Sequence, residues 1–402
     1  MMGFSNVQLV LLSVFLFFLS AGILQAPLSR HIAIEGGTHF LQGWLAGFIF
    51  LSQSIAKEFN ALFQHGKKYA LNFCLFSLFL VFFTLVFRDT LWVTVGCRLS
   101  YALFNQVVPC AKEFVAKLTP EETHIKYFNL VEGTRVAGLA LGNCLGGHLF
   151  LCNEDFSSLA MFSTVFTLVA ILLMQYVDED TDIKRPQTHF KQMPSICYQR
   201  LKNLKTVNYR KHWDCILLQA AYTTTFSIYF VRFCFLLVFN YNLGTVVIGY
   251  SIAYQHMWLF ATSMLVPFVK ERIQDKKSLF EHSLLISGFL LPGLYYAPSY
   301  ECYLFLLIPM FFFFMLVNSL LNDDALGLRS KPDVFEASNT IAYLVNVIGP
   351  IFFGIVCQFF GGYGFKLLSL LPMVICVYLM NQRLMKKEER EEEETETRIK
   401  QD

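Results

Sequence analysis

The chain has 402 residues, of which 55% are apolar and only 15% are charged; phenylalanine alone accounts for 43, and the mean hydropathy is +0.48. This composition excludes an ordinary soluble domain and a disordered chain, and it predicts a protein of the lipid bilayer. The formal net charge of +2 gives no sign of a nucleic-acid partner, because acidic residues interrupt the basic residues of the loops.

Apolar segments of about twenty residues, the length that a bilayer core requires, follow one another from end to end. They predict twelve membrane-spanning helices, at 7–28, 38–62, 69–87, 90–116, 127–150, 157–177, 213–238, 245–269, 278–297, 301–322, 333–360 and 362–383. The first apolar run is longer than the core of a signal peptide, so we expect it to remain as a membrane helix.

The basic residues of the predicted loops predict the orientation of the chain. Most of them fall on one side of the membrane, and the other side holds only Arg30, Arg88 and Lys366. Because cytoplasmic loops are enriched in Lys and Arg, both termini and the central loop are expected in the cytoplasm. The sequence does not distinguish the plasma membrane from an internal membrane.

A polar segment between Asp178 and Lys211 divides the predicted helices into two sets of six. The predicted divisions are an N-terminal bundle (1–177), a cytoplasmic linker (178–212), a C-terminal bundle (213–383) and a charged tail (384–402), which is either disordered or a helical extension. Aligning Gly142 with Gly349 places "GNCLGG" over "GPIFFG". This echo favours a duplicated six-helix unit, one of the plans that transporters use.

Two stretches carry a family resemblance. The segment "RLSYALFNQVVPCAKEFVAKLTPEE" (98–122), followed by "GLALGNCLGGHL" (138–149), resembles the fourth and fifth helices of the major facilitator superfamily, in its drug and organic-ion proton-antiporter branch. The resemblance covers essentially the whole chain. It implies an all-α membrane protein with twelve helices in two pseudo-symmetric six-helix bundles, and secondary transport in which the glycine motif shapes a hinge.

The chain departs from the family pattern at four positions. Phe63 replaces the acidic residue of the loop between helices 2 and 3, Lys117 replaces the acid that ends helix 4, Thr123 replaces an arginine and Asn143 replaces a proline. The charge network that holds the cytoplasmic gate in typical members is therefore incomplete.

Gly138, Gly142 and Gly146 recur every four residues, so a helix presents them as one stripe. Small residues let membrane helices approach closely, which offsets a propensity cost of about 1 kcal/mol per glycine. We interpret the motif as a packing surface, with these members: Gly138, Gly142, Asn143, Gly146, Gly147, Gly349, Pro350 and Gly354.

A charged side chain inside a membrane helix is costly and is a functional candidate. Arg98 either faces a central cavity, where its permanent charge would bind an anionic group, or extends toward the outer headgroups. Asn105, Gln106 and Gln25 offer neutral hydrogen bonds to a substrate.

Glu132 and Arg135 lie three residues apart on one helical face. They form either a structural ion pair or a gating pair. The neighbouring Lys112 and Glu113 could pair with them, but adjacent residues point in different directions, so at most one is expected to face inward.

In the second half, Arg232 stands in an aromatic helix that also carries Gln219 and Tyr222. One interpretation is that these side chains and the neighbouring Ser and Thr residues line a solvated cavity. The alternative is that the Ser and Thr hydroxyls bond to the backbone of their own helix. His256 is a candidate for proton coupling or a histidine satisfied by a neighbour. Asp323 is either solvated at a helix end or a protonatable carboxylate in the cavity.

The leading hypothesis is a monomeric secondary transporter that moves a small organic solute, anionic or amphipathic, by alternating access with proton coupling. The alternative is a transporter-fold protein without coupled transport that serves as a scaffold, chaperone or receptor. No cluster of residues has catalytic or metal-ligand spacing, so we expect no enzyme activity, no metal and no cofactor.

Overall fold

The computed structural model describes residues 5–61, 67–88, 90–153, 155–177, 204, 209–273, 275–322 and 332–399. These residues form α-helices and one short 3-10 turn at Glu121–Thr123. The helices are α1 (Asn6–Ile34), α2 (His39–Ala61), α3 (Lys67–Phe87), α4 (Leu91–Phe104), α5 (Val107–Leu118), α6 (His124–Asn153), α7 (Phe156–Gln175), α8 (Tyr209–Tyr241), α9 (Thr245–Arg272), α10 (Lys276–Tyr295), α11 (Tyr300–Asn322) and α12 (Pro332–Ile399).

The helices correspond to the predicted spans in order, with two differences. The span predicted at 90–116 is divided into α4 and α5, and the last two predicted spans form α12, which Gly361 interrupts with a φ of 56°. Glycine tolerates this left-handed conformation without steric cost, so the two spans turn at this residue.

Among the described residues, six segments are both long and apolar enough to cross a bilayer by themselves. They are Asn6–Leu28, Lys67–Phe87, Glu121–Cys152, Phe156–Gln175, Tyr300–Leu321 and Asp333–Gly361. The halves α4 and α5 are each too short for a span of about twenty residues, so together they supply one crossing.

The chain divides into two compact units. Unit 1 comprises Met1–Tyr198, Phe233–Ala261 and Pro350–Gln358, and unit 2 comprises Gln199–Arg232, Thr262–Gly349 and Phe359–Asp402. The segments 233–261 and 350–358 therefore group with the N-terminal helices, although they follow the polar division at 178–212 in the sequence.

In unit 1, α1 packs most extensively against α6 and α7. The core is apolar and includes Phe17, Leu71, Leu78, Phe114 and Leu159, all fully buried. Because lipid is as apolar as these side chains, close packing rather than burial from water holds such helices together.

In unit 2, α10 packs against α11, and aromatic side chains fill the space beside α8. The buried hydroxyl groups of Tyr229 and Tyr303 lie 2.9 Å apart and hydrogen-bond to each other. This pair satisfies two polar groups that would otherwise be costly in an apolar interior.

Candidate functional site

A line of polar side chains runs along one face of α4. Arg98, Tyr101 and Asn105 follow at intervals of three and four residues, which places them one above another on a helix. The Arg98 guanidinium lies 5.4 Å from the centre of the Tyr101 ring, and the Asn105 amide donates to the Tyr101 hydroxyl at 3.1 Å. All three side chains are half-buried in unit 1.

The helix is interrupted where this polar line ends. Asn105 has φ −75° and ψ 64°, and Gln106 has φ −106° and ψ 21°, so neither residue continues the α-helix. Pro109 explains the position of the break, because a proline lacks the N–H that would bond to the residue four before it, here Asn105, and its ring collides with that carbonyl. Non-helical backbone at membrane depth occurs where it lines a cavity or is buried in protein.

A small cavity adjoins Arg98. Its volume is about 30 Å³, and it lies between α1, α3, α4 and the start of α7. Its walls are apolar apart from Thr94, Cys97, Arg98 and Tyr101 on α4. The guanidinium of Arg98 thus adjoins a small, partly open space inside unit 1, in a wall that also carries two hydroxyl groups.

A network of charged side chains joins α5 to α6 and to α3. Lys112 donates to Glu132 of α6 at 2.7 Å, and Arg135 donates to the other oxygen of the same carboxylate at 2.7 Å. The next residue, Glu113, forms an ion pair with Lys67 at the start of α3. Lys112 and Glu113 do point in different directions, and each of them has a partner.

The glycine stripe of α6 lies against α1. A β-carbon on Gly138 would lie 2.6 Å from the Phe15 carbonyl oxygen, and one on Gly22 would lie 2.9 Å from the α-carbon of Gly142. Gly146 likewise contacts the backbone of Ile23. No side chain fits at these contacts, so the two helices meet backbone to backbone.

Asn143, which replaces the proline of the family motif, is fully buried beside this stripe. Its amide nitrogen donates to the carbonyl of Leu139 at 2.8 Å and to the side-chain oxygen of Gln25 at 3.2 Å. Its backbone carbonyl lies against Gly249 of α9, within unit 1. Two of the predicted site residues, Gln25 and Asn143, are therefore partners of each other.

The other members of the predicted packing motif lie at comparable contacts. A β-carbon on Gly147 would lie 2.9 Å from the α-carbon of Val246. Pro350 and Gly354 meet Gly43 of α2, whose β-carbon would lie 2.6 Å from the α-carbon of Gly354. In unit 2, Gly349 lies beside the Thr224 methyl group.

In unit 2, the predicted polar residues of α8 are engaged locally. Gln219 donates to Asn339 at 3.1 Å and accepts from Ser338 at 2.5 Å. Tyr222 is buried, packs on Phe314 and donates to the Phe314 carbonyl at 3.2 Å. The hydroxyls of Thr223, Thr224 and Thr225 bond to the carbonyls one turn earlier in their own helix.

The structure describes the three remaining candidates to different extents. His256 is half-buried in α9, in the part that belongs to unit 1. The backbone of Arg232 lies in α8, and its side chain is outside the described part of the structure. Asp323 follows the end of α11 and lies outside the described residues altogether.

The sequence did not single out Tyr101, Thr94 or Lys67 as site residues. Tyr101 had a readable signal, because it lies three residues after Arg98 and four before Asn105. Thr94, four residues before Arg98 on the same helix, had the same kind of signal, whereas Lys67 contacts Glu113 of another helix, which spacing along one helix does not reveal.

The sequence of the chain matches a known protein family. A family model described as Major Facilitator Superfamily matches residues 10–331. A probable peptide/nitrate transporter of Arabidopsis thaliana is 26% identical over 131 residues, which make up 31% of this chain and 27% of that protein. The matched stretch thus spans about a quarter of the plant protein's length.

Solved structures share the fold over nearly the whole chain. The human organic anion transporter MFSD10 (TETRAN) has a TM-score of 0.61 at 14% identity, over 92% of this chain and 98% of that one. The nucleoside transporter NupG has a TM-score of 0.66 at 9% identity, over 95% and 99%. The predicted fold class, an all-α, multi-pass membrane protein with twelve helices in two six-helix bundles, is confirmed. Since the family model covers most of the sequence, the chain belongs to the Major Facilitator Superfamily of membrane transporters.

Proposed function

We propose that this protein is a monomeric secondary transporter that moves a small organic solute by alternating access with proton coupling, and that it belongs to the drug and organic-ion antiporter branch. The observation that carries the proposal is the polar line of Arg98, Tyr101 and Asn105, which ends at a break in a membrane helix. Discontinuous helices present helix ends and free backbone groups to a ligand at membrane depth.

The charge of Arg98 favours an anionic or amphipathic solute. The guanidinium stays protonated at all physiological pH values, so it acts as a fixed cation and does not carry protons itself. A solute with a carboxylate or a similar group would gain a charge-assisted hydrogen bond there. The structurally similar MFSD10 is an organic anion transporter, and this supports the proposal by analogy of fold alone.

The proposed contacts of the solute extend beyond Arg98. Asn105 and Gln106 form the helix break, and Gln25 lies on α1. From unit 2 the proposal includes Gln219, Tyr222 and Arg232. Among these, Gln219 and Tyr222 have hydrogen-bond partners within unit 2, so binding through them would exchange one hydrogen bond for another.

Proton coupling requires a group that titrates, and the proposed candidates are His256 and Asp323. Glu132 and Arg135 are proposed as a gating pair, because their network with Lys112 joins α5 to α6. The glycine motif around Asn143 is proposed as the hinge. We further propose that both termini lie in the cytoplasm, in keeping with the distribution of basic residues.

A second candidate function is a transporter-fold protein without coupled transport, acting as a scaffold, chaperone or receptor. The aromatic packing of unit 2 favours it. The ring centres of Phe226 and Phe314 lie 4.3 Å apart, and Tyr222 is buried against both rings. A protein of this kind would bind partners without moving a solute.

Uptake into liposomes that contain the purified protein tests the proposal. A panel of organic anions and cationic drugs is offered with and without an imposed pH gradient. We expect gradient-dependent uptake of an anionic solute that falls at least tenfold in Arg98→Ala and persists in Arg88→Ala, the exposed matched control. Absence of flux for every compound in the panel would favour the second candidate.

A further inference from the structure

The cavity beside Arg98 contains hydrogen-bond donors that the described protein leaves without acceptors. The structure gives Arg98 a contact with the Tyr101 ring, and no acceptor among the described residues binds its five N–H groups. The Tyr101 hydroxyl accepts from Asn105, so its own hydrogen remains for another acceptor. The Arg98 guanidinium and the Tyr101 hydroxyl therefore face this space, and no described side chain accepts a hydrogen bond from either of them.

Three of the carboxylates that the structure describes in unit 1 are engaged with other partners. Glu113 pairs with Lys67, and Glu132 is shared by Lys112 and Arg135. Asp155 binds the amides of Ser157 and Ser158. A half-buried guanidinium without a counter-charge is costly in a membrane helix, so this site favours an anion.

The size of the cavity determines which anion fits. A cavity needs about 10–15 Å³ to hold one water molecule, and this one measures about 30 Å³. It has room for one particle somewhat larger than water. Its remaining walls are apolar, with Ala21, Leu24 and Phe82 among them. Such walls would leave the anion dependent on Arg98 and Tyr101 for its polar contacts.

We propose that this cavity is a binding site for a chloride-sized monovalent anion, held by the guanidinium of Arg98 and by the hydroxyl group of Tyr101. The anion neutralises Arg98 inside the N-terminal helices of unit 1. This inference goes beyond the proposed function, because the ion binds with or without a transported solute. A solute that carries an anionic group would compete with it for Arg98.

The test measures the melting temperature of the purified protein in detergent, with no solute present. Sodium chloride or sodium bromide replaces sodium gluconate at constant ionic strength, so charge screening stays the same. An ion that binds only the folded state raises Tm in a saturable way. We expect a rise of about 2 °C or more with chloride and bromide at saturation, relative to gluconate, in the wild-type protein.

Variants locate the ion. Arg98→Gln should abolish the chloride-dependent rise, Arg98→Lys should retain part of it, and Arg88→Gln, which removes an exposed arginine, should keep all of it. Ala21→Val, which fills the cavity with two methyl groups but keeps Arg98, should also remove the chloride dependence. If Arg98→Gln fails to fold, Ala21→Val still tests whether the ion binds in this cavity.

Equal melting temperatures of the wild type in chloride and gluconate would overturn the proposal. So would a chloride effect that survives both Arg98→Gln and Ala21→Val, because the ion would then bind elsewhere. Since no transport is measured, failure of the uptake experiment leaves this result unaffected, and a chloride-independent protein that transports would refute only the anion site.

Discussion

Lys112 of α5 donates to Glu132 of α6 at 2.7 Å, while the adjacent Glu113 pairs with Lys67 of α3. Successive residues thus join α5 to two different helices. The chain lacks the acid that the family places at position 63, and here the ion pair between α3 and α5 has its base on α3 and its acid on α5. The ends of α3 and α5 are therefore joined by a pair of charges other than the one that the acid of the family pattern would supply.

Removing the shared carboxylate should weaken unit 1. Glu132→Gln leaves Lys112 and Arg135 without an anion, and because these side chains are about 30% exposed, we expect a loss of about 1 kcal/mol. Thermal unfolding in detergent measures it, with Glu122→Gln in the exposed 3-10 turn as the control. A Tm equal to that of the wild type would show that the network is not stabilising.

A methyl group should have opposite effects at two glycines. Gly142→Ala forces α6 away from the backbone of α1 and should cost about 1–3 kcal/mol, whereas Gly96→Ala adds a methyl group where nothing lies within 4 Å. There the better helix propensity of alanine should stabilise by up to about 1 kcal/mol. Folded yield and Tm compare the two, and equal outcomes would contradict the close contact of α1 with α6.

The helix break depends on Pro109. In Pro109→Ala the new N–H can bond to the carbonyl of Asn105, so α4 and α5 should become continuous. Amide exchange of the peptide covering 103–110 should slow about fivefold, which corresponds to about 1 kcal/mol. Pro292→Ala serves as the control, because α10 already continues through its proline. Unchanged exchange at 103–110 would mean that another feature holds the break.

Asn143 should be replaceable only together with its partner. Asn143→Ala leaves the Gln25 oxygen without the donor seen here and should cost about 1–2 kcal/mol. The double variant Asn143→Ala with Gln25→Leu should recover part of this loss, since the orphaned acceptor is gone. Asn143→Pro, which restores the family residue, should cost about 3 kcal/mol. Additive losses in the double variant would contradict the pairing.

Asp155 caps the start of α7, and its cap should depend on pH. Hydrogen bonds from the Ser158 hydroxyl and from the amides of Ser157 and Ser158, together with the charge of His31, lower the pKa of this carboxyl. The stabilisation is therefore present above the unfolded pKa of about 4 and is lost as the pH falls through the lower folded value.

Asp155→Ala should cost about 0.5–2 kcal/mol at pH 7, and the difference should shrink below pH 4. Asp155→Asn keeps a capping oxygen and should retain most of the stability at both pH values. Thermal unfolding at pH 7 and pH 3 measures both variants. A loss in Asp155→Ala that is the same at both pH values would contradict the ionised cap.

Length and apolarity sufficed to predict the spans, because a bilayer imposes both on every helix. The division of the 90–116 span was not predicted, although Pro109 was visible. Pro27, Pro267, Pro292 and Pro309 lie inside helices that continue, so a proline alone does not specify a break. Gly361 was a readable boundary, since it falls between two apolar runs.

The partners of the site residues were less predictable. The spacing of Glu132 and Arg135 within one helix predicted their pairing, and the structure shows it. The contacts of Lys67 with Glu113 and of Asn143 with Gln25 join residues from different helices. Such pairs depend on which helices become neighbours and at what height, and a single sequence contains neither.

The contact of Gly22 with Gly142 has a mechanical consequence. Side chains can rotate to absorb a displacement, but a seam made of backbone atoms has no rotamers to adjust. Gly138 and Gly146 extend the same seam one turn to either side. Helices α1 and α6 should therefore travel as one rigid body in any rearrangement of the protein, and bending must be concentrated at joints such as Asn105 and Gly361.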